Sequence, residues 1–450
     1  MSCLEGLFLN QCLEMLQVNK NSPSACPFPN RSGSCSITQV NGAWYIRFGY
    51  SAPGYIVLPY KSARPQRILI TLRRLGTGGI EQATLTLANA MASQGHDVHL
   101  LVLKGQPERL PDHHVTVHCR DLDREQRRGV MGMTWHLLSR LALKPLLPGS
   151  GFVWQGLRCS RAFEAFVAEI ESRYGRFDLI LIRGQGAFEL LWQYRDPRAW
   201  RIVEAVTGRF SGWLARWLAR CLYQKHQVVC VSHGVQQALE QYLKQNDAQV
   251  ADSRVIHNAV PLRRLAQLAG EPRDPEIQAP YLVHVARLVP VKQQALLLDA
   301  YAKARQLGLS LPLVIIGDGS ERHALEAHAK RLEVNNVVHF LGTLENPYPW
   351  VADATAFVLS SRFEGLGLVL IEALALGTQC VATDVPGGIR EVLVGEQRRL
   401  LATYDADSLG AKICEAVEAP VEINPAWAEH FSEARIVDAF IDLIPVPREP

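Results

Sequence analysis

The chain consists of two successive series of apolar strands that alternate with amphipathic helices. The first series opens with Arg67–Leu72, a short apolar run that predicts a buried strand. A glycine-bearing turn over residues 75–80 follows, and residues 81–94 then carry apolar side chains at helical spacing until Gly95. Residues 98–103 predict the next strand. This order of strand, turn, helix and strand is typical of a Rossmann-like unit.

The alternation continues through the first half and resumes after a polar, proline-bearing segment. In the first half we predict a helix over 162–174, strands over 179–182, 201–206, 227–231 and 255–257, and a helix that Ser232 caps and that runs to residue 243. In the second half we predict strands over 281–286, 313–316, 337–341, 356–360 and 379–383, with helices over 293–307, 321–332 and 368–376. The sequence therefore predicts two Rossmann-like α/β domains, 66–261 and 281–430, with a linker at 262–280 and a C-terminal helix and tail at 431–450.

Residues 1–65 lack this pattern. They hold four of the ten cysteines, turn-forming residues crowd positions 21–36, and neither a helical nor a strand period persists. We therefore expect this segment to be an extension that is disordered or lies outside the main fold.

Composition narrows the class of protein. A net charge of +3 over 450 residues does not favour nucleic acid as the main partner. No run reaches the roughly 18 apolar residues of a membrane span, and Glu5 falls where a signal peptide would be basic, which favours the cytoplasm. The cysteines form no C-x-x-C pair and no zinc-type cluster with histidine, so reduced, mostly buried thiols are expected.

The strongest candidate site lies in residues 357–376 (FVLSSRFEGLGLVLIEALAL). A buried strand runs into a loop with Glu364, Gly365 and Gly367, and a helix carrying Glu372 follows. Glycines let backbone amides approach a ligand closely, and a helix N-terminus favours an anion. Carboxylates accept two hydrogen bonds, which suits sugar hydroxyls. The pattern indicates a site for a sugar attached to a phosphate, although acids matching the helix dipole are an alternative explanation.

This stretch resembles the retaining glycosyltransferases of family 4, also called group 1 glycosyltransferases. Glu364–Glu372 matches their E-x7-E motif, residues 381–391 (VATDVPGGIRE) match its usual continuation, and the resemblance extends over about 66–445. Residues 346–350 (NPYPW) are also similar to bacterial members that build surface polysaccharides. The resemblance implies a GT-B fold, in which two Rossmann-like domains enclose a deep cleft, and a nucleotide-sugar donor, UDP-linked, that binds the second domain. It implies that Glu364 and the loop Gly365, Leu366 and Gly367 position the sugar while Glu372 holds the ribose.

Further donor contacts follow from the same resemblance. Arg287 and Lys292 come just after a strand end and would hold the donor diphosphate, since fixed cations must stabilise the departing charge where no metal does so. Two solvated surface cations are the alternative. Gly317 opens a turn that lines the cleft in relatives, and Leu344 follows the strand where relatives bind the nucleobase. Gly78 and Gly79 would bring backbone amides to the phosphate from the first domain, or serve only a turn with positive φ. With Glu364, Arg287 and Lys292 are the predicted catalytic residues.

Three features leave alternatives open. Asp121 and Asp123 have the D-x-D form of metal-dependent glycosyltransferases but lie among arginines, so we expect no metal site and no cofactor. Residues 213–225 and 127–144 read either as helices packed within the first domain or as basic amphipathic helices at an anionic membrane surface. Many relatives carry a histidine on the acceptor side, yet 183–186 (RGQG) and 204–208 (EAVTG) contain none. The sequence therefore assigns no general base.

Taken with the resemblance, these residues predict a retaining, metal-independent glycosyltransferase. It would move a hexosyl or N-acetylhexosaminyl unit from a nucleotide sugar to a glycan or lipid-linked acceptor in lipopolysaccharide, capsule or other surface polysaccharide synthesis. Peripheral contact with the cytoplasmic face of the inner membrane fits such an acceptor. A sugar-nucleotide epimerase of similar architecture and a non-catalytic glycosyltransferase-like scaffold are the alternatives. An NAD-dependent dehydrogenase ranks last because no G-x-G-x-x-G fingerprint is present.

Overall fold

The computed structural model divides the chain into two units, Met1–Pro65 and Gln66–Pro450. It describes residues 35–40, 43–48, 55–58, 64–76, 78–112, 114–125, 133–134, 137, 151–206, 212–273, 277–424 and 426–445.

The unit Met1–Pro65 contains an antiparallel sheet of three strands, β1 (Cys35–Val40), β2 (Ala43–Phe48) and β3 (Tyr55–Leu58). The strands pair in chain order, β1 with β2 and β2 with β3. Residues 35–40, 43–48 and 55–58 therefore form strands although no strand period is evident in this part of the sequence. These strands are only four to six residues long, too short for a period to stand out among turn formers, and cross-strand pairing satisfies their backbone groups.

The first sheet of Gln66–Pro450 is parallel and has seven strands. In chain order they are β4 (Arg67–Leu72), β5 (Asp97–Val102), β6 (Val115–Cys119), β7 (Leu179–Arg183), β8 (Ala199–Val203), β9 (Gln227–Cys230) and β10 (Asp252–Val255). The spatial order is β10-β9-β8-β7-β4-β5-β6. The direction of winding reverses between β4 and β7, and ligands of such sheets bind at the carboxyl ends of the strands at this switch point.

The second sheet repeats the arrangement with six parallel strands. They are β11 (Leu282–Val285), β12 (Leu313–Ile316), β13 (Val338–Gly342), β14 (Ala356–Leu359), β15 (Cys380–Thr383) and β16 (Leu401–Ala402). The order β13-β12-β11-β14-β15-β16 places the switch point between β11 and β14. Two doubly wound parallel sheets confirm the predicted α/β class with two Rossmann-like domains.

Helices connect the strands of both sheets. Those of the first half are α1 (Gly79–Ser93), α2 (Leu122–Glu125), α3 (Gly151–Tyr174), α4 (Gln185–Leu190), α5 (Gly212–Tyr223) and α6 (His233–Gln245). Those that follow are α7 (Leu262–Ala269), α8 (Gln294–Gln306), α9 (Arg322–Arg331), α10 (Tyr348–Ala352), α11 (Leu368–Ala375), α12 (Ile389–Val392), α13 (Ala406–Glu418), α14 (Ala426–Glu429) and α15 (Glu433–Ile441). Ser232 caps α6, as predicted, because its Oγ accepts the Val235 amide at 3.1 Å.

The segment predicted as a linker, 262–280, is not wholly irregular. Its first part forms α7, for which Gly270 is the C-cap, and Leu265 is buried against the core. The prolines further along the segment favour irregular structure, and they masked the helical spacing of Leu262, Leu265 and Leu268. The predictions also omitted β6, β16, α13 and the short helices α2, α4, α10, α12 and α14. Asp405 is the N-cap of α13, and its side chain accepts the Ser408 amide at 2.7 Å, a cap that sequence can indicate.

The end of the chain returns to the first half. Phe431 accepts a hydrogen bond from the Val260 amide at 2.9 Å, and α15 packs on α1. The apolar face of α15, including Val437 and Phe440, is buried. The C-terminal helix therefore ties the second half to the first independently of the segment between the two sheets.

Replacing Phe440 with Ala should destabilise the protein by about 3 kcal/mol, since a buried aromatic side chain leaves a cavity when it is removed. Thermal unfolding measures the effect, with Ala434→Ser, on the exposed side of the same helix, as control. Equal melting temperatures for the two variants would contradict the anchoring of α15.

Candidate functional site

Glu364 lies in the loop after β14, where two donors fix its carboxylate. Lys292 Nζ donates to Oε1 at 2.6 Å, and Ser361 Oγ donates to the same oxygen at 2.6 Å. Only 11% of the Glu364 side chain and 20% of the Lys292 side chain are exposed. No hydrogen bond from the residues that the structure describes reaches Oε2. One oxygen is thus held by the protein, and the other can accept a hydrogen bond from a ligand hydroxyl.

The two predicted cations occupy different environments in the loop after β11. Lys292 closes a 3₁₀ turn, Pro290–Lys292, and joins Glu364. The Arg287 side chain is exposed and forms no hydrogen bond or ion pair with the described residues. The backbone carbonyl oxygen of Arg287 accepts a hydrogen bond from the side-chain amide of Gln294 at 3.0 Å. The structure therefore brings Lys292 and Glu364 together and does not join the guanidinium of Arg287 to them.

A buried polar chain that the sequence analysis missed supports this loop. His284 on β11 hydrogen-bonds the Val358 carbonyl through Nδ1 at 2.8 Å, so Nδ1 is the donor. Its Nε2 then accepts from Gln294 at 3.2 Å, and Gln294 also holds Arg287. Burial lowers the pKa of His284 to about 4, more than the Val358 hydrogen bond raises it, which keeps the ring neutral at physiological pH. In the sequence, the signal for this buried network was His284, a polar residue within an apolar strand.

The glycines of the loop permit a close backbone approach. A side chain at Gly365 would begin 2.4 Å from the carbonyl oxygen of Glu204, which belongs to the first half. Gly367 has φ of 86° and precedes α11 as its N-cap without a side-chain capping bond. Leu366 is buried. A helix N-terminus without a side-chain cap is a position that suits an anion, and the binding of a donor phosphate at the start of α11 stays a prediction.

Glu372 occupies the second turn of α11, eight positions after Glu364. Tyr348 donates its hydroxyl to Glu372 Oε1 at 3.4 Å. Burial raises the pKa of Glu372 from its ordinary value of 4.5 to about 7, and the Tyr348 hydrogen bond opposes that rise only in part. The same surroundings raise the pKa of Tyr348. Tyr348 lies in the NPYPW stretch, so that motif contacts the E-x7-E helix directly.

Gly317 and Leu344 are the other predicted donor contacts of the second half. Gly317 has φ of 136°, and a side chain there would begin 2.0 Å from the Ala286 carbonyl oxygen, so the turn requires glycine. The Gly317 amide donates to the Gly342 carbonyl at 2.7 Å. Leu344 lines a cavity of about 370 Å³ together with Arg273 and other residues. The predicted roles of Gly317 and Leu344 in donor binding stay predictions.

Gly78 and Gly79 begin α1 at the carboxyl end of β4. Gly78 has φ of −80°, and Gly79 is not among the residues with positive φ. The explanation that this turn needs left-handed backbone is therefore wrong. No atom lies within 4 Å of the position where a Gly79 side chain would begin, so the backbone there is open to a ligand. Their contact with a donor phosphate stays a prediction.

The acceptor-side positions contain a buried ion pair. Arg183, at the end of β7, is almost fully buried and contacts Glu204 Oε1 at 2.7 Å. Asn258 donates to Glu204 Oε2 at 3.2 Å and accepts a hydrogen bond from Arg183. Because Gly365 lies against the Glu204 backbone, this network forms the wall of the first half that faces the Glu364 loop. Residues 207–208 of the predicted EAVTG segment lie outside the described residues.

The remaining candidates are the D-x-D segment, the two basic helical segments and the cysteines. Asp121 caps α2 by accepting the Arg124 amide at 2.9 Å, and the described residues contain no cluster of metal-binding side chains.

Helix α5 buries Leu218 and Leu222 but leaves Trp213 exposed, while most of 127–144 lies outside the described residues. Among the cysteines of the described segments, Cys119 is exposed, Cys414 is partly buried, and the others are buried, namely Cys159, Cys221, Cys230 and Cys380. No helix in the described segments is long and apolar enough to cross a membrane.

Two family models match the chain, one in each half. The model described as Glycosyltransferase Family 4 matches residues 77–264, and the model described as Glycosyl transferases group 1 matches residues 272–433. These two matches bear out the resemblance that the E-x7-E motif indicates.

Relatives of this chain are also named as glycosyltransferases. N-acetylgalactosamine-N,N'-diacetylbacillosaminyl-diphospho-undecaprenol 4-alpha-N-acetylgalactosaminyltransferase of Campylobacter jejuni is 25% identical over 344 residues, covering 76% of this chain and 87% of that protein. The lipopolysaccharide core biosynthesis glycosyltransferase LpsE of Rhizobium meliloti is 30% identical over 199 residues, 42% of this chain and 57% of that protein. An epimerase is therefore not favoured.

A solved structure shares the fold. The crystal structure of Anabaena Alr3699/HepE in complex with UDP and glucose has a TM-score of 0.59 at 19% identity and covers 84% of this chain and 98% of that chain. The predicted GT-B class is thereby confirmed.

The raised pKa of Glu372 predicts a pH-dependent stability. A carboxyl group whose pKa is raised by folding stabilises the folded state fully below about 4.5, and this contribution is lost as the pH rises through about 7. We expect the melting temperature of Glu372→Gln minus that of the wild type to increase between about pH 5 and about pH 8. Glu396→Gln, at an exposed position of the same half, is the control. A gain equal to the control's would contradict the burial of an ionisable Glu372.

Proposed function

The chain belongs to the group 1 glycosyltransferases, and we propose that it transfers a hexosyl or N-acetylhexosaminyl unit from a UDP-linked sugar with retention of configuration. The acceptor is a glycan or a lipid-linked acceptor in the synthesis of lipopolysaccharide, capsule or another surface polysaccharide. The observation that carries the proposal is the Glu364 carboxylate, held by Lys292 and Ser361 at the switch point of the second sheet.

The diphosphate of the donor binds beside Lys292 and Arg287. Lys292 is already fixed by Glu364, so its ammonium group is positioned without further loss of side-chain freedom. Arg287 is exposed and offers a planar fork to phosphate oxygens. Together they stabilise the charge that develops on the leaving nucleoside diphosphate, a role in which preorganised cations act most strongly.

The sugar and the ribose bind the two glutamates. Glu364 accepts hydrogen bonds from hydroxyl groups of the sugar through Oε2, and Glu372 accepts hydrogen bonds from those of the ribose. Because the pKa of Glu372 is about 7, ribose hydroxyls that favour the ionised form would release part of a proton at neutral pH when the donor binds. The amides of Gly78, Gly79 and the start of α11 face the phosphates from the two halves.

The first half presents the acceptor, and closure of the two halves excludes water and aligns the acceptor hydroxyl with the anomeric carbon. The leaving phosphate accepts the proton of the acceptor on the same face. No protein nucleophile and no metal ion takes part in this proposal.

Replacing Arg287 with Ala should weaken transfer by about tenfold to a hundredfold, since one charge-assisted contact contributes roughly 1.5–3 kcal/mol. A thermal-shift screen against UDP, UDP-sugars, GDP-mannose and NAD first identifies the donor, and release of UDP in the presence of a membrane glycan extract measures turnover. Lys330→Ala, an exposed cation of the same half, is the matched control.

Three outcomes of this assay would contradict the proposal. Unchanged turnover in Arg287→Ala would remove the diphosphate assignment, and loss of turnover in EDTA would show that a metal is required. Donor binding by the wild type without transfer to any extract would favour the non-catalytic scaffold.

We also propose that the enzyme works at the cytoplasmic face of the membrane, where a nucleotide sugar meets a lipid-linked acceptor. Support comes from α5, on which Trp213 is 63% exposed. The exposed Arg216 lies three positions further on and therefore on the same face of the helix. An aromatic ring beside a cation suits the interface of an anionic bilayer.

Trp213→Ser should reduce co-sedimentation with vesicles of phosphatidylglycerol and phosphatidylcholine by several-fold, because the buried part of an indole ring contributes much of such binding. Leu307→Ser is a suitable control, since Leu307 is 64% exposed on the second half. Equal binding by both variants and the wild type would exclude α5 as the contact.

A further inference from the structure

Glu391 joins the two halves of the protein. It belongs to α12 in the second half, yet its carboxylate accepts the backbone amides of His233 and Gly234 at 3.0 Å each. These are the first two residues of α6 in the first half. His257, also of the first half, donates through Nε2 to Glu391 Oε2 at 3.0 Å. A carboxylate from one domain therefore occupies the N-terminus of a helix of the other.

The charge of Glu391 suits this position. Burial disfavours the ionised carboxylate, but the hydrogen bonds from His257 and from the two amides outweigh it and lower the pKa of Glu391. The helix N-terminus adds a favourable field for a negative charge. His257 is itself held by edge-to-face contact with Phe431, with ring centroids 5.1 Å apart. The ionised carboxylate is thus bound tightly between elements of both halves.

The segment that carries Glu391 also holds Glu364. The Gly388 amide donates to the Glu364 carbonyl at 3.2 Å, and Glu364 pairs with Gly387 as in a parallel sheet. A side chain at Gly234 would begin 2.1 Å from the Gly387 carbonyl oxygen, so the two halves meet here backbone to backbone. The position of Glu391 on α6 consequently fixes the backbone of Glu364.

A second contact lies beside the first. Ser232 Oγ, which caps α6, donates to the Gly365 carbonyl at 2.6 Å. The N-terminus of α6 therefore contacts two neighbouring segments, the Glu364 loop through Ser232 and the segment 387–391 through Glu391. A displacement of α6 would move the Glu364 loop as well.

We propose that Glu391 is a positioning residue for transfer: by clamping residues 387–391 onto the N-terminus of α6, it sets the Glu364 carboxylate in its working place when the halves are closed. The proposal rests on the proposed function, since it assigns Glu364 the donor sugar. Glu391 itself touches neither Glu364 nor Lys292 through its side chain and acts through the backbone of its loop.

The clamp predicts a separation of catalysis from nucleotide affinity. The side chains assigned to UDP, those of Arg287, Lys292 and Glu372, all lie in the second half, and the first half adds only backbone amides. Binding of UDP should therefore depend far less than transfer on the contact between Glu391 and α6. Glu391→Gln keeps the shape of the side chain but loses the charge and brings an amide donor towards two backbone donors. Transfer requires the loop geometry and should therefore suffer while UDP affinity is kept.

The experiment compares Glu391→Gln with the wild type and with Glu396→Gln, which changes an exposed glutamate five residues further on. Hydrogen–deuterium exchange of the peptides over 231–236 and 384–391 reports the clamp, isothermal titration with UDP reports nucleotide affinity, and UDP release in the presence of glycan extract reports transfer. We expect faster exchange in both peptides and transfer slower by about tenfold to a hundredfold, with UDP affinity changed by no more than about threefold.

The outcomes separate this proposal from the proposed function. Unchanged exchange in Glu391→Gln, or faster exchange with unchanged transfer, would overturn the positioning role. An equal loss of UDP affinity and of transfer would overturn it too, because it would indicate a general structural role. If the wild type neither binds UDP nor releases it, the proposed function fails, while exchange still decides whether Glu391 holds the Glu364 loop.

Discussion

The ion pair between Lys292 and Glu364 is the interaction on which the candidate site depends. Lys292 follows β11 and Glu364 follows β14, and these two strands are neighbours in the second sheet although dozens of residues separate them in the chain. Their carboxyl ends meet at the switch point, where loops diverge and leave a crevice. A partly buried carboxylate is costly without a partner. The pair satisfies this requirement and leaves one glutamate oxygen to face a ligand.

Backbone contact between the halves imposes a second constraint. Gly365 lies against Glu204 and Gly234 against Gly387 at distances that no side chain tolerates. Hydrogen bonds from Ser232 and to Glu391 surround these contacts. The Glu364 loop is consequently shaped by the first half as much as by the second, which explains how closure of the halves can be coupled to the geometry of the donor site.

The wall opposite the loop is built differently from what the family resemblance implies. In the two segments where the family resemblance leads us to expect a histidine, this chain has Arg183 and Glu204, joined as a buried pair that Asn258 completes. The carboxylate of Glu204 is thereby held in one orientation by charge-assisted and neutral hydrogen bonds, which makes this wall rigid.

The sequence by itself determined the elements and the position of the main motif along them. Apolar periods located most strands of both sheets, and the E-x7-E spacing placed Glu364 in a loop and Glu372 on the following helix, because both signals arise from residues close in the chain. It missed α7 and α13, where proline-rich or polar surroundings masked the period, and the short strands of 35–58. Tertiary structure alone decided that Lys292 pairs with Glu364. It also decided that Tyr348 contacts Glu372, that burial raises the pKa of Glu372, and that Glu391 caps a helix of the other half. These contacts depend on strand order and domain packing, which arise from interactions between distant segments and leave no local pattern in the sequence.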